Sequence, residues 1–265
     1  MFSRWQLAKK YIHYYCTAEN GKGHGVHSPF VFDFIIHVLN DQQPYPAYQR
    51  VETLRQQLKG NETLLTVEDF GAGSALGNTR QRSIASIARN AAKSKKLAQL
   101  LYRIVQYYKP ATVLELGTSL GVSAAYLALA NADGQVVTGE GSSAVAHQAR
   151  ANFEQLGISN IQLVSGNFDE TLPVMLQQLP TLGLAFLDGN HRLEPTVRYF
   201  EQLLPHLTDQ SIVILDDIHW SAEMEQAWEQ VKEHPAVTMT IDLFFVGLVL
   251  FRKDFKVKQH FTIRF

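Results

Sequence analysis

Val113-Leu-Glu-Leu-Gly-Thr-Ser-Leu-Gly-Val-Ser123 decides how this chain is read. A short apolar run with one acid, Glu115, breaks into Gly117 and Gly121. The small-residue segment Ala124-Ala-Tyr-Leu-Ala-Leu-Ala130 follows at once. The order predicts a buried strand, a tight glycine turn and a helix. Such a turn lets backbone approach a ligand closely and offers the N–H groups of a helix start to an anion. Its spacing is G-x-x-x-G rather than the G-x-G-x-x-G of dinucleotide enzymes. A nucleotide-like ligand is therefore expected, of a kind the turn alone does not name.

Outward from this turn the pattern repeats. Strands are expected at 112–116, 135–140, 161–165, 183–188 and 211–216, with helices near 122–131, 143–156, 170–179, 194–206 and 221–233. Ser94 to Tyr108 has helical spacing and stops before Pro110. Leu184-Ala-Phe-Leu187 and Ile212-Val-Ile-Leu215 are apolar without alternation, as in parallel strands covered on both faces. Gly157 stands where a helix needs a left-handed cap. Val237 to Leu243 and Phe245 to Arg252 are strand-like with no helix between them, hence an antiparallel pair at the sheet edge. The fold class is α/β: a Rossmann-like, doubly wound, mostly parallel seven-stranded sheet with an antiparallel terminal pair.

The first ninety residues do not share this alternation and read as a mainly helical N-terminal extension. It holds an aromatic helix over Trp5 to Tyr15, a His/Gly loop at 21–28, a helix near 30–39 and a proline-marked loop at 41–46. Residues 1–93 are expected to be a cap or dimerisation arm, and residues 94–265 the ligand-binding domain. His24 and His27 have a metal-compatible spacing but no neighbouring cysteine or acid, which favours a loop or lid.

Bulk properties exclude several classes. In 265 residues, 46% are hydrophobic and 18% charged, enough for a packed core, and the net charge of −1 gives no general case for nucleic acid or membrane binding. The most apolar window, Leu243 to Phe251, is too short to span a bilayer. One cysteine, Cys16, cannot form an internal disulfide, so a reducing cytoplasm is expected. The run from Arg80 to Lys109 holds eight basic residues and no acid. It reads as a solvated helix face, or as a place near Arg89 and Lys93 for an anionic group.

Chemistry gathers at the strand ends, where ligands bind in open parallel sheets. Glu140 ends Val136-Val-Thr-Gly-Glu140, 23 residues beyond Gly117. An acid there accepts hydrogen bonds from ribose hydroxyls or is simply a solvated strand end. Asp188 and His191 lie in Phe186-Leu-Asp-Gly-Asn-His191, and Asp216 and Asp217 in Ile214-Leu-Asp-Asp-Ile-His-Trp220. Clustered carboxylates call for a divalent or cationic partner, and a histidine beside them suits a general base. The structural alternatives are that these aspartates cap the following helices and that His219 and Trp220 are packing residues. A rival turn, Val67-Glu-Asp-Phe-Gly-Ala-Gly-Ser74, lacks both the following apolar helix and a later strand-end acid, and reads as a loop over the site.

Taken together, Glu115-Leu-Gly-Thr-Ser-Leu-Gly-Val-Ser123, Glu140, Gly166-Asn-Phe-Asp169, Asp188-Gly-Asn-His191 and Asp216-Asp217 resemble the class I S-adenosylmethionine-dependent methyltransferases. The likeness is to the catechol/caffeoyl-CoA O-methyltransferase type and its bacterial relatives, over about Ser94 to Arg252. The resemblance makes 94–265 the S-adenosylmethionine-binding domain, with Gly117 and Ser119 facing the methionine end of the cofactor, Ser123 its carboxylate, and Glu115 and Gly121 among the cofactor-binding residues. It implies Glu140 on the ribose, and Asn167 and Phe168 at the adenine. Asp188 would meet the methionine amino group or a metal, with Mg2+ or another divalent cation held by Asp188, Asp216 and Asp217. Two positions depart from the pattern: Asp217 replaces an asparagine, and His191 stands where metal-dependent members carry a lysine base. The implied reaction is methyl transfer to a hydroxyl of a small molecule, with His191 and Asp188 as catalytic residues. Nucleic acid and membrane are not expected partners, and a homodimer through the N-terminal arm is.

Other classes fit less well. A nicotinamide-dependent oxidoreductase should show G-x-G-x-x-G and a Tyr/Lys or His constellation. A non-catalytic cofactor-binding or assembly protein is the alternative in which the N-terminal arm is an interaction module that blocks the pocket. A nucleic-acid methyltransferase should carry an Asn-Pro-Pro-Tyr-like motif after the fourth strand.

Overall fold

The computed structural model describes residues 1–69 and 78–265. The rival glycine turn with Gly71 and Gly73 falls outside them. Two compact units emerge, one of residues 1–41 with 181–265 and one of residues 42–180.

The first unit begins with α1 (Arg4–Thr17), closed at its N-terminus by a capping box in which Ser3 and Gln6 bond each other's backbone. After the loop at 21–28 comes α2 (Pro29–Phe34), with Pro29 at its first position and Ser28 as cap. Where the sequence predicts one helix over 30–39, α2 widens into a π-helical turn, Ile35–Leu39. Ile35, Val38 and Leu39 are buried there, so packing rather than propensity sets the winding.

The second unit opens with α3 (Pro46–Lys59), absent from the sequence reading. Two antiparallel strands follow, β1 (Leu64–Asp69) and β2 (Asn78–Ser83), so the N-terminal extension is helical with one strand pair. Then come α4 (Ile84–Asn90), α5 (Lys95–Tyr108), β3 (Thr112–Leu116), α6 (Val122–Ala130), β4 (Gln135–Glu140), α7 (Ser143–Gln155), β5 (Ile161–Ser165) and α8 (Phe168–Gln178). The strands β3, β4 and β5 run parallel in that order, with Leu116 opposite Gly139 and Glu140 opposite Ser165. Parallel neighbours need a crossover connection, and the helices between these strands supply it. Helix α6 is apolar on all sides and almost wholly buried, as the alanine-rich sequence requires. Gly157, at φ 61°, takes the left-handed conformation expected of it.

The chain returns to the first unit with β6 (Leu182–Leu187), α9 (Leu193–Leu203), a 3-10 turn, and β7 (Leu207–Asp216). Next are α10 (Ala222–Glu233), β8 (Met239–Asp242), β9 (Val246–Leu250) and β10 (Gln259–Thr262). Strands β6 and β7 are parallel, and β9 lies antiparallel to both β7 and β8. The terminal pair is antiparallel as expected, but it is not the edge: β10 pairs parallel to β8 outside it. Gln259-His-Phe-Thr262 is too short and polar to read as a strand, and pairing with β8 creates it. Beyond it, Glu19 N–H donates to Thr262 O (2.8 Å) and Arg264 N–H to Glu19 O (3.0 Å), tying the two termini together. Among the described residues no helix is long and apolar enough to cross a membrane.

The turn after β3 has no steric slack. Gly121 takes φ 82°, and a Cβ on it would lie 2.5 Å from the Phe153 ring. Gly121→Ala should therefore cost about 2–4 kcal/mol and lower Tm by roughly 5–12 °C in a thermal melt. An unchanged Tm would show that Phe153 moves aside freely.

Candidate active site

The first constellation lies within residues 112–169. At the end of β3, Gly117 (φ 107°) and Thr118 both donate N–H to Gly139 O at 2.9 Å, extending the pairing with β4. Ser119 follows at φ 48° and donates its N–H to Glu140 Oε2 (2.7 Å), while Ser142 N–H donates to Glu140 Oε1 (2.9 Å). From α7, Asn152 Nδ2 donates to Leu120 O (2.8 Å). Two elements, β4 and α7, thus hold the turn in one conformation. Helix α6 starts with no side-chain cap, and buried Ser123 lies in its first turn. A helix start left in this way suits a carboxylate. Burial pushes the Glu140 carboxyl up, against the backbone hydrogen bonds that favour its charge. Asn167 caps α8 by accepting from Asp169 N–H (3.1 Å), and the Phe168 ring packs over Gly139, where a Cβ would meet it at 3.2 Å.

Glu115 is fully buried. Its Oε2 accepts from Thr138 Oγ1 (2.5 Å), whose oxygen is also 2.6 Å from Thr118 Oγ1, and its Oε1 has no hydrogen-bond partner. Burial pushes its pKa up to about 7; the Thr138 and Ser123 hydroxyls oppose the rise, the Glu140 charge adds to it and that of Lys93 opposes it. The unfolded chain releases this proton near pH 4.5, the folded chain only near 7. Between those values the folded state binds more protons, so this group's contribution to stability falls as pH rises. Glu115→Gln should accordingly match the parent's Tm near pH 4.5 and exceed it by roughly 4–8 °C at pH 8. A constant difference across that range would contradict the assignment.

The second constellation lies within residues 188–216. Asp188, His191 and Asp216 present ligating atoms within 4.8 Å of one another, with His191 Nε2 3.6 Å from Asp188 Oδ1. Asp216 is buried at the end of β7, and the other two are half-buried in the loop after β6, where Asn190 takes φ 53°. None of the aspartates caps a helix. Arg192 occupies the N-cap position of α9 without a side-chain capping bond, and Ser221 caps α10 by accepting from Met224 N–H. Two carboxylates and an imidazole at this spacing fit a divalent cation, or a base held by an acid. The third member is His191, where the sequence reading has Asp217. Asp217 takes φ 53°, donates its N–H to Phe245 O (2.7 Å) and lines a different cavity.

That cavity, about 300 Å³, was not visible in the sequence. Leu7, Ala8 and Tyr11 of α1 form one side; Asp217, His219, Trp220, Phe244 and Phe245 form the other. Paired aromatics before β9 were the one available signal. His219 is not merely packing: Nε2 lies 2.7 Å from Asp242 Oδ2 and Nδ1 3.1 Å from Glu225 Oε1. Burial alone would lower its pKa, but both carboxylates outweigh that and raise it. Elsewhere, Arg89 binds Lys59 O (2.6 Å) at the surface, and Arg103 is buried. His24 and His27 join no metal-compatible group among the described residues.

Residues 114–218 match the family model of a methyltransferase domain. No curated protein matches the sequence. Among solved structures, a Podospora anserina methyltransferase bound to S-adenosylhomocysteine is similar with TM-score 0.59 and 13% identity, over 96% of this chain and 98% of its own. A Bacillus cereus O-methyltransferase, also with S-adenosylhomocysteine, gives 0.55 and 18%, over 83% and 97%. A Streptomyces achromogenes O-methyltransferase of tomaymycin synthesis, with S-adenosylmethionine, gives 0.56 and 17%, over 84% and 95%. Such identities speak for the fold, and the matched segment runs from β3 to the loop after β7. The chain shares the fold of these methyltransferases, and residues 114–218 resemble a methyltransferase domain.

Proposed function

We propose that the chain transfers a methyl group from S-adenosylmethionine to a hydroxyl of a small molecule. The observation that carries this reading is the pre-formed cradle around Glu115. A fully buried carboxylate with one unpartnered oxygen lies beneath a left-handed glycine turn and an uncapped helix start. A ligand with a carboxylate, a cationic centre and a ribose suits all three. The uncapped amides of α6 and Ser123 hold the carboxylate. The ionised form of Glu115 balances positive charge. Each Glu140 oxygen accepts one backbone N–H and keeps a lone pair for a ribose hydroxyl. Gly117 and Ser119 keep backbone close to the methionine portion, and Asn167 and Phe168 border the adenine. When bound, the cofactor supplies an electrophilic methyl group on a sulfonium sulfur.

On the acceptor side, His191 takes the hydroxyl proton and Asp188 holds the imidazole and the imidazolium that forms. Asp188 and Asp216 are the residues that would hold a divalent cation, whose chemistry is to lower the hydroxyl's pKa. A ring nitrogen that binds a metal cannot also accept a proton, so His191 serves one role at a time. Asp217 stands outside this group and is not needed as a ligand. The exposed stripe of α1, with Trp5, Ile12 and Tyr15 at helical spacing, supports a homodimer through the N-terminal arm.

Calorimetry should detect S-adenosylmethionine binding and no NAD binding; no heat at millimolar S-adenosylmethionine would end the proposal. His191→Ala should lower methyl transfer about 10²-fold or more while cofactor affinity stays within twofold. Equal loss of both would move His191 to cofactor binding. If Asp188 and Asp216 hold a cation, chelator-treated protein should regain activity with Mg2+ or Mn2+, and Asp216→Asn should not. Trp5→Glu with Ile12→Glu should convert a dimer to a monomer in sedimentation; unchanged mass would remove the arm from the interface.

A further inference from the structure

The cavity beneath α1 stands apart from the acid–histidine group, although Asp217 follows Asp216 directly in the chain. Its walls are apolar and largely aromatic: Tyr11, Trp220, Phe244 and Phe245, with Leu7 and Ala8. At about 300 Å³ it is at the small end for ligand sites, with room for one or two rings. Strain marks the wall opposite α1. Phe244 takes φ 68°, a conformation a bulky residue adopts only when its surroundings impose it. The restraint is Asp242, whose Oδ1 accepts from Phe244 N–H (2.7 Å) and whose Oδ2 meets His219 Nε2 (2.7 Å).

An ion chain continues from that point. His219 Nδ1 faces Glu225 Oε1 (3.1 Å), and Lys10 Nζ of α1 donates to the same Glu225 oxygen (2.8 Å). Both nitrogens of His219 meet carboxylates, so both of its hydrogen-bonding positions are taken. It offers a ligand neither a base nor a further donor. Its ring lies at a shallow 30° to that of Phe244, with 5.2 Å between centroids. The start of α1 is also tied down, through Phe2 N–H to Trp220 O (3.0 Å). The side chains of α1 are therefore held as one wall of the cavity, by a helix outside the matched segment 114–218.

We propose that α1 is a specificity wall, and that its cavity binds the ring body of an uncharged aromatic molecule with one or two rings. The walls are largely apolar and both His219 nitrogens are already engaged, so a charged group would lose its hydration there without repayment. Flat rings find Tyr11, Trp220, Phe244 and Phe245, which a flexible alkyl chain matches less well. Naming this molecule as the methyl acceptor rests on the function proposed above; the binding site itself does not.

The test is calorimetric titration of the whole protein with 1-naphthol, 1-naphthoic acid and 1-decanol as probes, with and without S-adenosylmethionine. Naphthol should bind at least about tenfold more tightly than either other probe. Ala8→Trp places a large ring in the cavity from an exposed position, and should weaken naphthol about tenfold while S-adenosylmethionine affinity is unchanged. Lys10→Met, which breaks the chain at α1, should weaken naphthol too. Equal binding of decanol or naphthoate, or full naphthol affinity in Ala8→Trp, would overturn the proposal. Naphthol binding without S-adenosylmethionine binding would leave the cavity site standing and defeat the methyltransferase reading. The reverse would defeat the cavity site alone.

Discussion

The turn from Gly117 to Gly121 is the constraint on which the rest depends. Three of its five residues have positive φ, and the Phe153 ring occupies the space a side chain at Gly121 would need. A backbone in this state persists only when over-determined. Here Gly139 O takes two N–H groups, Glu140 takes a third, and Asn152 takes the Leu120 carbonyl. The turn therefore fixes where β3 stops, where α6 starts and where the end of β4 lies. Glu140 holds the turn, and its two backbone hydrogen bonds leave accepting capacity on both carboxylate oxygens.

Buried charge supports this reading. A carboxyl as enclosed as Glu115 opposes folding when ionised, and a hydrophobic residue there would pack without that penalty. Only part of the cost is offset, by the Thr138 hydroxyl. The acids after β6 and β7 follow similar logic. They are not helix caps, since other residues occupy those positions, and they meet a histidine instead.

The N-terminal arm contributes more than a cover. In the unit formed with residues 181–265, α1 supplies a cavity wall, and Lys10 reaches Glu225, 215 residues on. Exposed ion pairs are weak singly, but this one belongs to a chain with a half-buried histidine between two acids. Phe244 and Asp217, both at positive φ, carry the strain of that assembly.

The sequence by itself determined the parallel α/β alternation, the glycine turn and the order of the strand-end acids. Each depends on local chemistry: apolar runs, glycine's access to positive φ, and acids placed directly after strands. The limits of β3, β4 and β5 were legible to the residue for that reason. Tertiary structure alone decided what lacks a local signal. Strand β10 exists because β8 pairs with it, and the π-turn at Ile35–Leu39 because its side chains are buried. His191 rather than Asp217 joins Asp188 and Asp216 because the left-handed backbone at Asp217 directs that residue to the aromatic cavity. The cavity unites positions 7 to 11 with 217 to 245, a separation across which no periodicity or spacing carries information.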